Sequence, residues 1–156
     1  VAQIIKTLQD AHGVPNSRTI ADEDGIGGGV VDILKCKGFV NNSTPIAEPT
    51  GPRDKDGNII KPNYANLKSQ CYFRLAKRIN DGEIFIEPVD IEVRQMIISE
   101  LEQVKQHNMD KDMKKQVVPK DKVKELIGRS PDYSDTLMMR EWFELTPKRV
   151  FADAGY

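Results

Sequence analysis

No stretch of this 156-residue chain stays apolar long enough to cross a bilayer, which excludes a membrane-spanning helix read from sequence. Cysteine is scarce. Cys36 and Cys71 stand apart with no CxxC, so a disulfide scaffold is excluded and a reducing, cytoplasmic setting is expected. Two histidines are too few for a structural zinc site. An excess of either charge is lacking as well: 23 Lys and Arg against 24 Asp and Glu leave a net charge of −1. Global attraction to a polyanion is therefore unavailable, and any contact with nucleic acid must come from a local patch. The basic start and apolar run of a signal peptide are missing. What is present is 38% hydrophobic residues, enough for the core of one domain of ordinary size.

The chain opens inside an apolar pattern, with Val1, Ile4, Ile5 and Leu8 at helical spacing. A fragment of a longer protein is expected, with residues 1–147 forming a partial domain and 148–156 a tail. The first helix should end near Gly13 and Pro15. Thr19-Ile20-Ala21 reads as a short strand leading into acidic residues. Glycines 25 and 27–29 read as a turn, and a second helix from Val30 stops at Gly38. Phe39-Val40 begins another strand. This order of helix, strand, helix, strand favours a parallel α/β sheet. Residues 48–62, rich in Pro and Gly, read as a loop or small hairpin, with an Asp-Gly turn at Asp56-Gly57. Tyr64 to Ile79 reads as a helix, Glu83 to Ile86 as a strand, and Asp90 as the cap of a helix carrying Val93, Ile97, Leu101 and Val104. Gln116 to Val118 reads as a strand. Ser130-Pro131 reads as the start of a final helix reaching Trp142 and ending before Pro147, with Ser130 as cap. Both cysteines, Met138, Trp142 and Leu145 are expected in the core.

Two acidic groups carry the chemistry. Asp22-Glu23-Asp24-Gly25-Ile26-Gly27 lies at the carboxyl end of a strand, where α/β sheets place ligands, and its carboxylates suit a hard cation such as Mg²⁺. The same residues also suit a polar turn whose acids favour the next helix's N-terminus. The glycines imitate a dinucleotide fingerprint, but Val30 stands where G-x-G-x-x-G needs its last glycine. In Ser130-Pro131-Asp132-Tyr133-Ser134-Asp135, the two aspartates are spaced to share a helix face. Both stand in the first turn, where one Asp is ordinary and two repel unless a cation or a hydrogen-bond network holds them. Between the groups, residues 104–129 hold eight basic and four acidic side chains. Lys114, Lys115, Lys120, Lys122, Lys124 and Arg129 are the candidates for phosphate contact.

Taken together, these motifs resemble the C-terminal nuclease domain of tailed-phage terminase large subunits. Thr19 to Gly27 resembles the family's strand ending in Asp and its G-x-G turn. Tyr64 to Gln70 with Gly82 to Ile86 resembles a helix and the strand after it. Lys124 to Asp135 (KELIGRSPDYSD) resembles the segment leading into its SPDxxDA-type ending, departing at Thr136, where Ala is commoner. The resemblance implies an RNase H-like mixed α/β sheet flanked by helices, here lacking its opening strand. It implies a Mg²⁺- or Mn²⁺-dependent endonuclease cutting double-stranded concatemeric viral DNA by two-metal phosphodiester hydrolysis. Asp22 matches the second metal-holding acid, Asp132 the third, and Asp135 an extra acid of related resolvases. The first acid would lie upstream of Val1, so the fragment is expected to be impaired. An upstream ATPase domain, a terminase small subunit and a capsid portal would be the partners, in the cytoplasm of a bacterial host. Two rival readings remain: a non-catalytic module that docks DNA or a portal, its acids merely capping helices, and a nucleotide-binding α/β domain at the glycine turn.

Overall fold

The computed structural model describes residues 1–24, 27–48, 51–60, 62–87, 90–107 and 113–146. Helix α1 (Ala2–His12) stops where Gly13 takes a left-handed φ of 63°, a conformation that needs no Cβ. A short 3-10 turn, Asn16–Arg18, leads into strand β1 (Ile20–Asp22). Helix α2 (Gly27–Leu34) then carries the chain back to β2 (Lys37–Phe39). The two strands pair in parallel, with Asp22 opposite Phe39. This is the crossover unit expected from the order of elements. Glycines 27–29 nevertheless belong to α2 itself rather than to a turn before it.

Helix α3 (Leu67–Asn80) is the centre of the molecule. Asn66 caps it, its side-chain oxygen accepting the Ser69 N–H at 2.9 Å. Its inner face supplies Leu67, Cys71, Tyr72 and Leu75 to a core completed by Phe39, Val117, Met138 and Leu145. Each such side chain contributes about 1.5–3 kcal/mol by leaving water. Helix α4 (Ile91–Gln103) follows, then an antiparallel pair, β3 (Gln106–His107) with β4 (Gln116–Val117). The chain continues through α5 (Lys120–Ile127), α6 (Asp132–Arg140) and α7 (Trp142–Leu145). The buried Glu141, at the α6–α7 break, pairs with Arg78 at 2.8 Å and ties that end to α3.

Several expectations change. The described residues form two small sheets rather than one mixed sheet. Glu83 to Ile86 is not a strand: Phe85 is 84% exposed and no neighbouring strand offers its backbone among the described residues. Cys36 lies between α2 and β2, half-buried, while Cys71 is in the core as expected. Burial pushes the Cys71 thiol up to about 12. The basic stretch contains a helix, α5, that its run of lysines had concealed. The proposed tail at 148–156 lies outside the described residues.

Candidate active site

Asp22 ends β1, so its side chain leaves the sheet at the carboxyl edge of the strands. A methyl group on Gly27 would collide with the backbone carbonyl of Asp22, so only glycine lets α2 start this close. The acids of this turn divide their roles. Asp22 Oδ1 accepts the Asp24 N–H at 3.0 Å. Asp24 Oδ2 accepts both the backbone N–H and the side-chain amide of Asn41, at 2.9 and 2.8 Å. Asn41 follows β2, and its amide also reaches Asp22 Oδ1 at 3.4 Å. Asp24 is thus a brace that fastens the turn to the end of β2. Asn41 carried no signal in the sequence, because only the parallel pairing of β1 and β2 sets it beside Asp22.

The second acidic group starts α6. Its cap is neither Ser130 nor another near neighbour. The N–H of Ser134 donates instead to Glu100 Oε2, at 2.7 Å, from the fully buried Glu100 of α4. Glu100 Oε1 pairs with Arg129. Arg129 therefore faces inward, and its guanidinium also reaches the carbonyls of Ser130 and Met96. A buried glutamate on another helix has no local sequence signature, which is why reading along the chain passed over it.

The two aspartates of α6 have different surroundings. Asp132 is 76% exposed at its side chain, whereas Asp135 is 13% exposed. Asp135 Oδ1 accepts from Lys68 Nζ at 2.9 Å and from Tyr72 Oη at 2.7 Å; Oδ2 accepts from Lys120 Nζ at 2.6 Å. Burial works to raise the Asp135 pKa. The Lys68 charge and the three donors outweigh it and hold the carboxyl below its ordinary value. Lys120 Nζ lies 3.8 Å from Asp132 Oδ1. Burial works to lower the Lys120 pKa, yet its hydrogen bond to Asp135 and the charges of Asp135, Asp132 and Asp22 carry it above the usual lysine value. Lys120 therefore pairs with both aspartates of α6.

Of the other basic candidates, Lys114, Lys122 and Lys124 are exposed, and Lys115 is exposed with its ammonium 5.7 Å from the Phe73 ring. The donors near Lys120 are carboxylate oxygens, the chemistry a hard divalent cation requires. Among the described residues no group of three His, Cys, Asp or Glu side chains is arranged to hold a metal ion. Strand β1, which ends in Asp22, packs against α6, which begins at Asp132, and Lys120 pairs with Asp132 from α5.

Solved structures share this fold. The nuclease domain of the large terminase subunit gp2 of bacterial virus Sf6 matches with a TM-score of 0.67 at 19% identity, covering 89% of this chain and 70% of that chain. A lysine-to-alanine variant of that domain with manganese and beta-thujaplicinol gives the same TM-score, 0.67, and the variant with manganese alone gives 0.66. No protein-family model and no curated protein matches the sequence. The likeness is one of fold, and within it this chain sets Asp22 at a strand end and Asp132 at a helix start.

Proposed function

We propose that this chain is the greater part of a metal-dependent nuclease domain of a viral terminase large subunit, hydrolysing phosphodiesters of double-stranded DNA. The observation that supports the reading is the fold shared with terminase nuclease domains, in which β1, ending in Asp22, packs against α6, whose Asp132 and Asp135 pair with Lys120. Mg²⁺ or Mn²⁺ would be held by Asp22 and Asp132, with Asp135 supporting from the same helix turn. When bound, such ions supply a hydroxide nucleophile and charge stabilisation for the departing 3′ oxygen. The chain's own residues prepare the site. Asn41 and Gly27 fix the exit of Asp22 from β1. Glu100 holds the first turn of α6, and with it Asp132. Lys120 offsets the repulsion of the acids before a divalent ion enters. Lys114, Lys115, Lys122 and Lys124 would contact phosphates without reading bases, so cutting would be largely sequence-tolerant. The packaging ATPase domain, small subunit and portal would be its partners in the host cytoplasm.

With no group of three such acids among the described residues, this chain by itself is expected to bind metal weakly and cut slowly. The test is Mn²⁺ binding by electron paramagnetic resonance together with plasmid nicking. Mn²⁺ uptake lost in both Asp22→Asn and Asp132→Asn supports the reading. Uptake indifferent to both substitutions sinks it and favours the non-catalytic docking module, the rival that the lack of a three-acid cluster among the described residues suits.

A further inference from the structure

The far end of α6 carries a buried charge that the candidate site does not use. Glu141, fully buried, stands where α6 gives way to α7. Its carbonyl accepts the N–H groups of Glu144 and Leu145 at 3.0 and 3.2 Å, so it starts α7 as well as ending α6. Its carboxylate meets three arginines. Arg78 of α3 donates to Oε1 at 2.8 Å, Arg140 lies 3.5 Å from the same oxygen, and Arg74 Nε lies 3.5 Å from Oε2. That last approach is no hydrogen bond: Oε2 and Arg74 Nε are both buried without a hydrogen-bond partner among the described residues. Each arginine also has a second carboxylate. Arg74 pairs with Glu48 at 2.9 Å, Arg78 with Glu83 at 3.3 Å, and Arg140 with Glu144 at 3.2 Å. Three cations thus face four carboxylates, and of these Glu141 is the one fully out of water. Neighbouring groups do not close the gap. Lys37 of β2 lies over the Trp142 ring, 4.9 Å from its centre, Lys77 pairs with Asp81 on the exposed side of α3, and the Cys71 thiol is neutral.

We propose that Glu141 is a proton-sensitive latch for α7, holding that helix against α3 more firmly when its carboxyl is neutral than when it is charged. α7 therefore loosens as pH rises. A proton on Glu141 removes the cluster's surplus negative charge at the point where charge is costliest. Each arginine keeps its second carboxylate, so no cation is orphaned. Burial works to raise the Glu141 pKa and outweighs the charges of Arg78, Arg140 and Arg74, leaving the carboxyl above its ordinary value. A released α7 returns Glu141 to water and to the ordinary carboxylate range. The docked form thus binds the proton more tightly, so docking is favoured at low pH and weakens as pH climbs through the docked value. Release would uncover Leu145, which is in the core, and Trp142, which packs against it. The first turn of α6 stays in place, held by Glu100 and by the Lys68–Asp135 pair. No acid of the candidate nuclease site takes part, so the latch stands apart from that reading.

Trp142, the chain's one tryptophan, follows Glu141 and reports on the latch directly. The experiment measures acrylamide quenching of its fluorescence in the full chain from about pH 5 to about pH 9, with far-UV circular dichroism confirming that the fold persists. Quenching is expected to rise about two-fold as pH climbs, and to stay low and flat in Glu141→Gln, whose neutral amide keeps the latch shut. His12 and His107, on α1 and β3, remain in that variant, so a pH response arising from them would persist there. Two further variants test the charge argument whether or not Glu141→Gln folds. Arg140→Gln, at a 55% exposed side chain, removes a cation and should move the midpoint to higher pH; Glu144→Gln removes an anion and should move it lower. Quenching independent of pH in wild type, a response that persists in Glu141→Gln, or midpoints that shift the same way in the two partner variants overturns the latch. Quenching that falls as pH rises makes the charged carboxylate the anchor and overturns it too.

Discussion

Asp132 and Asp135 are three residues apart on one helix, but their substitutions should act on different properties. Replacing Asp135 by Asn removes the charge that Lys68, Tyr72 and Lys120 all address, at 2.9, 2.7 and 2.6 Å. A hydrogen bond to a charged group contributes about 1.5–3 kcal/mol, and stripping one partner from a buried ion pair costs about 3–5 kcal/mol. Lys120, 35% exposed, can turn to water; Lys68, 15% exposed, cannot do so without disturbing α3. The lower end of the range therefore applies, about 3 kcal/mol, or about 6–12 °C in Tm for a chain of this length. Replacing Asp132 by Asn removes a 76% exposed carboxylate from the first turn of α6. The helix-dipole contribution is lost, about 0.3–1 kcal/mol, together with the exposed 3.8 Å pairing to Lys120, which adds little at this exposure. Urea unfolding followed by far-UV circular dichroism and Trp142 fluorescence measures both. If Asp135→Asn lies within about 1 kcal/mol of wild type, or Asp132→Asn costs as much, the division between anchor and exposed acid is wrong.

Gly27→Ala should destabilise by about 1–3 kcal/mol, because its methyl meets the Asp22 carbonyl, whereas Gly29→Ala, with open space around it inside α2, should stabilise by about 0.5–1 kcal/mol; paired melting curves compare them. Glu100→Gln should cost about 2–3 kcal/mol in urea, below the range for a fully buried pair because Arg129 is 34% exposed. The Asp135 carboxyl is held below its ordinary value in the fold. Its stabilisation is complete above the unfolded pKa of about 3.9 and is lost as pH falls through the folded value. Lys120, raised in the fold, gives the opposite edge: its contribution is complete below the unfolded lysine pKa and disappears as pH climbs past the folded value. Urea midpoints against pH should show both edges in wild type, with the acid edge flattened in Asp135→Asn.

Local rules sufficed where neighbours along the chain decide conformation. Gly13 ends α1 because a left-handed residue satisfies the last carbonyls. The apolar spacing of α3 and α4 and the strand before Asp22 were legible for the same reason. The limits of α3 were less so, since its cap, Asn66, lies two residues inside the span that hydrophobic spacing suggested, 64–79. Alternation alone misassigned Glu83 to Ile86, because a strand exists only when another backbone pairs with it. The remaining features are properties of packing. Glu100 caps α6 from 34 residues away, Lys68 reaches Asp135 across 67, and Asn41 reaches Asp22 only after β1 and β2 pair. Side-chain type and periodicity thus named most helices. Which acid faces water, which is buried as an anchor, and which lysines accompany it depended on charges brought together by the folded chain, where burial makes an unpaired ion costly and selects the partners.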